Sequence, residues 1–361
     1  MRYKRKLIVL LLLLLAFIVL QLIFPGSKAL QSAYGNYFFQ PYQALRKFIF
    51  GGIPISVGDI LYFAGALLLI ALHIKWIYFI VRFRSHKEYL AHSLLNTINT
   101  LAILYLLFFI GWGGNYYKPA LVRYWNLNPA ATNNDSVLLS YDQYLISRLN
   151  ALAPHYEDVP FKKVNTRAQD YYKLYTDNHS RLRGLSAKPS IYGYFMQYLG
   201  IQGYYNPFTG EAQVNRFLPS YMLPFVVCHE MAHQSGIGAE DDANLLSHAL
   251  CVSSNDKDFA YSGYFNIWLY THNRLRLTDS ARAAGLFATL NPLSHSHVDT
   301  LRAIRRRYRS KVNEYSSAVY DEYLKLHNQV DGIDSYYGVV LSAWAWEEQR
   351  RFRMGVKLMI P

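Results

Sequence analysis

Three long apolar runs near the start of the chain constrain its fold more than any other feature. They extend over about residues 7–24, 60–81 and 94–112, and no charged side chain interrupts the first. A helix needs about 20 apolar residues to cross a bilayer, so the sequence predicts three transmembrane helices. The first run could instead be a cleaved signal peptide. It is longer than the usual apolar core of such peptides, which favours an uncleaved anchor.

Basic residues around the runs predict their orientation. Four precede the first run and three closely follow the second, whereas three are spread over the longer connection between the first and the second. Because positive charges concentrate on the cytoplasmic side, we expect the N-terminus in the cytoplasm and everything after the third run outside it. The predicted organisation is a membrane domain, residues 1–116, followed by an extracytoplasmic domain, residues 117–361.

The net charge of +13 does not indicate a nucleic-acid partner. Residues 1–116 account for +9 of it, which serves membrane topology, and residues 117–361 carry only +4. One basic cluster, Arg305–Arg309, lies inside a helical pattern. We expect it to be a solvated helix face or, alternatively, a contact with anionic lipid headgroups. The lipid bilayer is thus an expected partner and nucleic acid is not.

The stretch Cys228–Asn244, CHEMAHQSGIGAEDDAN, carries most of the chemical information. His229 and His233 are four residues apart, so on a helix both imidazoles lie on one face and can reach one zinc ion. Glu230 lies between them, where it can contact a water on the metal and act as general base. Glu240 can supply a third ligand and leave the fourth position open, as catalytic zinc sites do. The alternative is an amphipathic core helix that happens to carry two histidines.

A second helix is predicted just after the glycines that end the first. It places Glu240, Asn244 and His248 at i, i+4 and i+8, on one face. The amide of Asn244 is expected to hold a ligand histidine by its free ring N–H, as metal sites usually require. Asp242 is the rival third ligand, but it is two residues from Glu240 and points to another side of the helix.

These residues resemble the gluzincin class of zinc metallopeptidases, in which the third ligand is the Glu of a helix with Glu-x-x-x-Asp or Glu-x-x-x-Asn. Several membrane-embedded peptidases of that class have Glu-x-x-Ala-Asp in this role. Glu240, Ala243 and Asn244 match that helix, with Asn where many relatives have Asp. The motif spacing, the apolar N-terminal third and the stretch Trp112–Tyr116 also resemble a bacterial membrane family known as domain of unknown function 3810. The resemblance implies an α+β, mainly helical fold, with three transmembrane helices and a zincin-like domain that has a small sheet and the HExxH helix. It also implies a place in the bacterial cytoplasmic membrane.

A strand, a five-residue turn and a second strand are predicted just before the motif, over residues 200–215. The second strand consists of Glu211, Ala212, Gln213, Val214 and Asn215. One interpretation is an edge strand that pairs with an extended peptide substrate. The other is an ordinary hairpin that covers the core, and the sequence does not decide between them.

Attack of water on a carbonyl also needs a hydrogen-bond donor for the developing oxyanion. Tyr336, Tyr337 and His248 are the candidates, with Tyr261 and Tyr264 as further ones, although a structural role is the more ordinary interpretation of each. The two cysteines, Cys228 and Cys251, allow one disulfide or two buried thiols.

The sequence thus favours a zinc metallopeptidase that hydrolyses peptide bonds of a peptide or protein substrate with a Glu-activated water. A narrower variant is an amidase of cell-wall peptides. The competing hypotheses are a non-catalytic membrane protein that uses zinc as a sensor or structural brace, and a scaffold without a metal.

Overall fold

The computed structural model describes residues 2–129, 135–175, 184–326, 335–352 and 358, which are mainly helical with one small sheet. The α-helices of the N-terminal part are α1 (Arg2–Ile23), α2 (Lys28–Ala33), α3 (Gln40–Phe50), α4 (Val57–Val81) and α5 (Phe83–Gly111). Helices α1, α4 and α5 are long and apolar enough to cross a membrane, as predicted, while their orientation stays a prediction. Helix α5 begins at Phe83, well before the predicted start of the third run at about residue 94. The polar residues after Arg82 are helical too, so only Arg82 separates α4 from α5.

The connection between α1 and α4 packs on the later part of the chain. Gln40 donates a hydrogen bond to the carbonyl oxygen of Ser235 at 3.0 Å, and Gln43 donates to that of Gly210 at 2.8 Å. Such side-chain bonds to buried main-chain carbonyls fix the connection to the core of the following part. Contacts therefore cross the predicted boundary at residue 116, and the boundary itself remains a prediction.

The remaining α-helices surround one core. They are α6 (Leu121–Tyr124), α7 (Asp135–Leu152), α8 (Phe161–Tyr175), α9 (Gly193–Leu199), α10 (Leu223–Ser235), α11 (Glu240–Ser253), α12 (Lys257–Thr278), α13 (Ser280–Phe287), α14 (Pro292–Tyr308), α15 (Lys311–Leu326) and α16 (Ser335–Phe352). Helix α10 is central and packs against α8, α11, α12 and the sheet. Every residue of α10 except His229 is buried, so this histidine marks the side on which the helix is accessible.

The sheet contains β1 (Ala187–Ser190), β2 (Gly203–Asn206) and β3 (Glu211–Asn215) in the order β1-β3-β2. Strand β3 pairs antiparallel with β2 and parallel with β1. The β2–β3 hairpin was predicted, and its turn ends at Gly210, whose φ of 69° suits a residue without a side chain.

Strand β3 is not the edge strand that one interpretation of the sequence required. Residues Glu211, Ala212, Gln213, Val214 and Asn215 are all buried, and their backbone faces a partner on both sides. The outer strands are β1 and β2. Strand β1 escaped prediction because its sequence, Ala-Lys-Pro-Ser, contains a proline, which is tolerated at the edge of a sheet but is not a strand signal.

Candidate metal centre

Helices α10 and α11 bring together the three side chains that the sequence proposed as metal ligands. The Nε2 atoms of His229 and His233 lie 3.1 Å apart. The carboxylate of Glu240 approaches them at 3.2 and 3.4 Å, respectively. One ligand atom from each residue lies within 4.8 Å of the others. Two imidazole nitrogens and one carboxylate oxygen converging on a single point form a donor set that suits zinc.

The turn after α10 orients one of these histidines. Gly236 has a φ of 99°, and the N–H of Ile237 donates to the carbonyl oxygen of Ala232 at 3.1 Å, which closes the helix end. The carbonyl oxygen of Ile237 then lies 2.8 Å from Nδ1 of His233. Because a carbonyl can only accept, Nδ1 carries the proton and Nε2 of the neutral ring is left to bind a metal. The glycine thus fixes both the helix end and the tautomer.

Burial and neighbouring charges act in opposite directions on the pKa values of His233 and Glu240. Burial alone would lower the pKa of His233, but the adjacent Glu240 carboxylate outweighs it and raises the pKa to about 9. Burial likewise opposes ionisation of Glu240, yet the two histidines hold its pKa well below the ordinary value. The Glu240 carboxylate thus favours a positive charge on His233, and a metal ion at this position would bind by displacing that proton.

Glu230 is buried beside the ligands and is not one of them. Burial raises its pKa to about 7, although the charges of His229 and His233 act in the opposite direction. Its Oε2 has no hydrogen-bond partner among the described residues. A buried carboxylate oxygen without a partner is costly, which indicates that it has a partner when the protein works.

A glycine of β2 makes room for this carboxylate. A Cβ atom added to Gly203 would overlap Oε1 of Glu230 and approach the carbonyl oxygen of Gln213 to 2.8 Å. The carboxylate of Glu230 therefore fills the space between α10 and the outer strand β2. The outer strand that contacts the candidate base is thus β2, and the central strand β3 is not available as an edge.

The structure separates Glu240 from its rival Asp242. Oδ1 of Asp242 accepts a hydrogen bond from the N–H of Leu121 at 2.9 Å, so this side chain anchors the start of α6. Asn244 is buried, and its Nδ2 has no partner among the described residues, as is true of Nδ1 of His229. The expected role of Asn244 in holding a ligand thus remains a prediction, whereas Ile237 holds His233.

His248, proposed as an oxyanion donor, lies in a different polar cluster. Its Nδ1 is 3.3 Å from the carbonyl oxygen of Gly263, and its Nε2 is 3.2 Å from the Glu347 carboxylate, which also accepts a bond from Tyr144. Tyr264 joins this cluster through the hydroxyl of Tyr144. The geometry gives His248 a structural role between α11 and α16.

The structure does not assign an oxyanion role to the other proposed donors. Tyr261 bonds to Ser294 and to His297, 2.9 and 2.8 Å away. The side chains of Tyr336 and Tyr337 lie outside the described residues.

Cys228 and Cys251 are buried free thiols with their Sγ atoms 4.0 Å apart, where α10 meets α11.

Two aromatic residues near the ligands were not predicted as site residues, although Trp112 lies in the stretch that carries the family resemblance. The ring of Trp112, directly after α5, lies edge-on to the ring of His233 with centroids 6.0 Å apart. Tyr270 of α12 has a pKa raised by burial and by the charge of Glu240, so its phenol stays protonated near that ligand. Both residues approach through helix packing that spans long separations in sequence, and no local pattern points to them.

Comparisons with known proteins identify a family but no activity. No curated protein and no solved structure matches the chain. The family described as "Protein of unknown function (DUF3810)" matches over residues 34–342, which include the candidate metal centre and most of the N-terminal helical part. The chain therefore belongs to the DUF3810 family.

Proposed function

We propose that this protein is a membrane-anchored, zinc-dependent metallopeptidase with its active centre at His229, His233 and Glu240. The observation that carries the proposal is the position of Glu230, a buried carboxylate with an unpartnered oxygen next to three convergent ligand atoms. A purely structural zinc site has no need of such a group. A hydrolytic site needs one to accept a proton from the attacking water.

The residues present fit a catalytic zinc ion. Three protein ligands leave a fourth coordination position free, and the tautomer of His233 leaves its Nε2 available. A zinc ion there would supply acidification of water and polarisation of the scissile carbonyl. Glu230 would take the proton and deliver it to the leaving amine. The outer strand β2 is the element beside which an extended substrate would be aligned, since Gly203 contacts Glu230.

Metal content tests the site first. We expect stoichiometric zinc in the purified full chain and in Glu230→Gln, and loss of zinc in Glu240→Gln because the third ligand is weakened. Glu314→Gln, which changes an exposed carboxylate on α15, is the matched control and should keep its zinc. Elemental mass spectrometry after exchange into metal-free buffer makes the measurement. A wild-type chain that does not retain added zinc would refute the proposal.

Gly203→Ala tests the place of Glu230. The added methyl would displace the carboxylate, and misplacing a catalytic group by about 1 Å can cost about 100-fold in rate. We therefore expect peptide hydrolysis to fall by about that factor while zinc content stays unchanged. Gly285→Ala is the control, since an added methyl there meets nothing within 4 Å. Equal activity of the two variants would show that β2 does not position the base.

A further inference from the structure

Large apolar side chains cluster on the surface around α9. Ile191, Tyr194, Phe195 and Phe217 are all about half exposed or more, and Phe195 reaches 67%. Phe217 belongs to the same surface because its ring lies against Gly193, where an added Cβ would approach it to 3.0 Å. We call these four residues the α9 patch. Exposing a contiguous group of large apolar side chains to water is unfavourable, so such patches usually mark an interaction surface.

The α9 patch adjoins the beginning of the candidate membrane helix α4. The buried carboxylate of Asp59, in the first turn of α4, accepts hydrogen bonds from the N–H of Ile191 at 2.7 Å and from the hydroxyl of Ser190 at 3.1 Å. The hydroxyl of Tyr192 donates to the carbonyl oxygen of Asp59 at 2.7 Å. These bonds fix the patch beside the point at which α4 would enter the bilayer.

The first turns of α4 are themselves apolar and exposed. Ile60, Leu61, Tyr62 and Phe63 are each more than 40% exposed. With 25 residues, α4 is longer than the roughly 20 needed to cross the hydrocarbon core, so these turns belong near the membrane surface. The α9 patch thus lies next to the exposed apolar surface of α4, which lipid would cover.

Cationic side chains border the patch. The guanidinium of Arg216 lies over the ring of Phe217, 4.9 Å from its centroid. The ring of Tyr308 packs edge-on against Tyr194 and Tyr198, which brings the end of α14 next to α9. That end carries three exposed arginines, Arg305, Arg306 and Arg307. Aromatic residues flanked by arginine are the combination that the headgroup region of an anionic membrane attracts.

We propose that the α9 patch docks into the headgroup region of the bilayer beside α4, with the arginines at the end of α14 contacting anionic phospholipid. The domain that follows the membrane helices is then held to the membrane by a second, lateral contact in addition to its covalent link through α5. This docking needs no hydrolytic activity, so its test is independent of the proposed function.

Fluorescence quenching in liposomes tests the docking with the full chain. Phe195→Cys carries an environment-sensitive label, and the two native cysteines are buried and should not react. The control is Leu277→Cys, which is similarly exposed but lies near the end of α12. Lipids brominated on the acyl chain should quench the label at position 195 and leave the label at position 277 unaffected.

A second experiment tests whether the arginines of α14 contribute to the docking through anionic lipid. Quenching at position 195 should increase when phosphatidylglycerol is added to phosphatidylcholine. That increase should disappear when Arg305, Arg306 and Arg307 are all changed to Gln. An unquenched label at position 195 would overturn the proposal, as would equal quenching at both positions. Cross-linking between copies through position 195 without lipid quenching would assign the patch to self-association instead.

Discussion

Glu230→Gln is expected to reduce peptide hydrolysis strongly while leaving the zinc in place. Glutamine has almost the same shape as glutamate, so it should fit the buried position between α10 and Gly203 without disturbing the ligands. An amide cannot accept the proton of the attacking water. Loss of a general base typically lowers the rate by about 10²–10⁴-fold, and we expect a loss in that range.

The environment of Glu230 also predicts how activity depends on pH. Burial raises the pKa of this carboxyl to about 7, and the group works as a base only when it is ionised. Activity should therefore rise with pH as Glu230 loses its proton. A bound cation would favour the ionised form, which places the rising limb at or below pH 7. The limb should be absent from the residual activity of Glu230→Gln.

Hydrolysis of a quenched fluorescent peptide library by the zinc-loaded full chain provides the measurement, with zinc content determined on the same samples. Residual activity of Glu230→Gln close to that of the wild type would exclude Glu230 as the base. Zinc-loaded wild type without any hydrolysis would favour the non-catalytic alternatives of a sensor or a brace.

The candidate ligands could be predicted from the sequence because their geometry is local. Two histidines four residues apart must share a helix face, and a glutamate that opens the next helix returns to that face after a short turn. The three apolar helices could be predicted for a similar reason, since length and composition alone make them visible. The sequence ranked Asp242 behind Glu240 as the third ligand, and in the structure the carboxylate of Asp242 instead accepts a hydrogen bond from the N–H of Leu121.

Features that depend on distant parts of the chain could not be predicted. The central position of β3 depends on a parallel partner about 25 residues earlier, in a segment with a proline and no alternating pattern. The contact of Trp112 with His233 depends on how α5 meets the following part of the chain. His248 satisfied the helical spacing of a site residue, yet Glu347, about 100 residues later, takes its side chain into another cluster.

Glu211 shows how far such a distant contact changes an interpretation. One of the two interpretations of the sequence placed this residue on a substrate-binding strand. In the structure its carboxylate accepts hydrogen bonds from the N–H groups of Val57 and Gly58 at the start of α4, and it forms a buried ion pair with Lys188. Lys188 also bonds to the carbonyl oxygens of Phe50 and Ile55. Glu211 therefore joins the sheet to a candidate membrane helix.

We accordingly expect Glu211→Ala to destabilise the protein by about 3–5 kcal/mol, the usual cost of leaving one member of a buried ion pair unpaired. Lys188 would then lie close to Lys47, whose pKa is lowered by burial and by the charge of Lys188, and close to the positive end of α4. Lys188→Met should cost less, because the carboxylate keeps the N–H groups of α4 as partners. The double variant Lys188→Met with Glu211→Ala should recover much of the loss, since no buried charge remains.

Thermal unfolding of the four proteins in detergent, followed by the loss of helical circular dichroism, completes this double-mutant cycle. The structural role requires that the two changes are not additive and that Glu211→Ala has the lowest midpoint of the set. A substrate-binding role requires the opposite pattern: a wild-type midpoint for Glu211→Ala and an effect confined to the KM of hydrolysis. Because the carboxylate of Glu211 is already engaged by α4 and Lys188, we expect the loss to fall on stability.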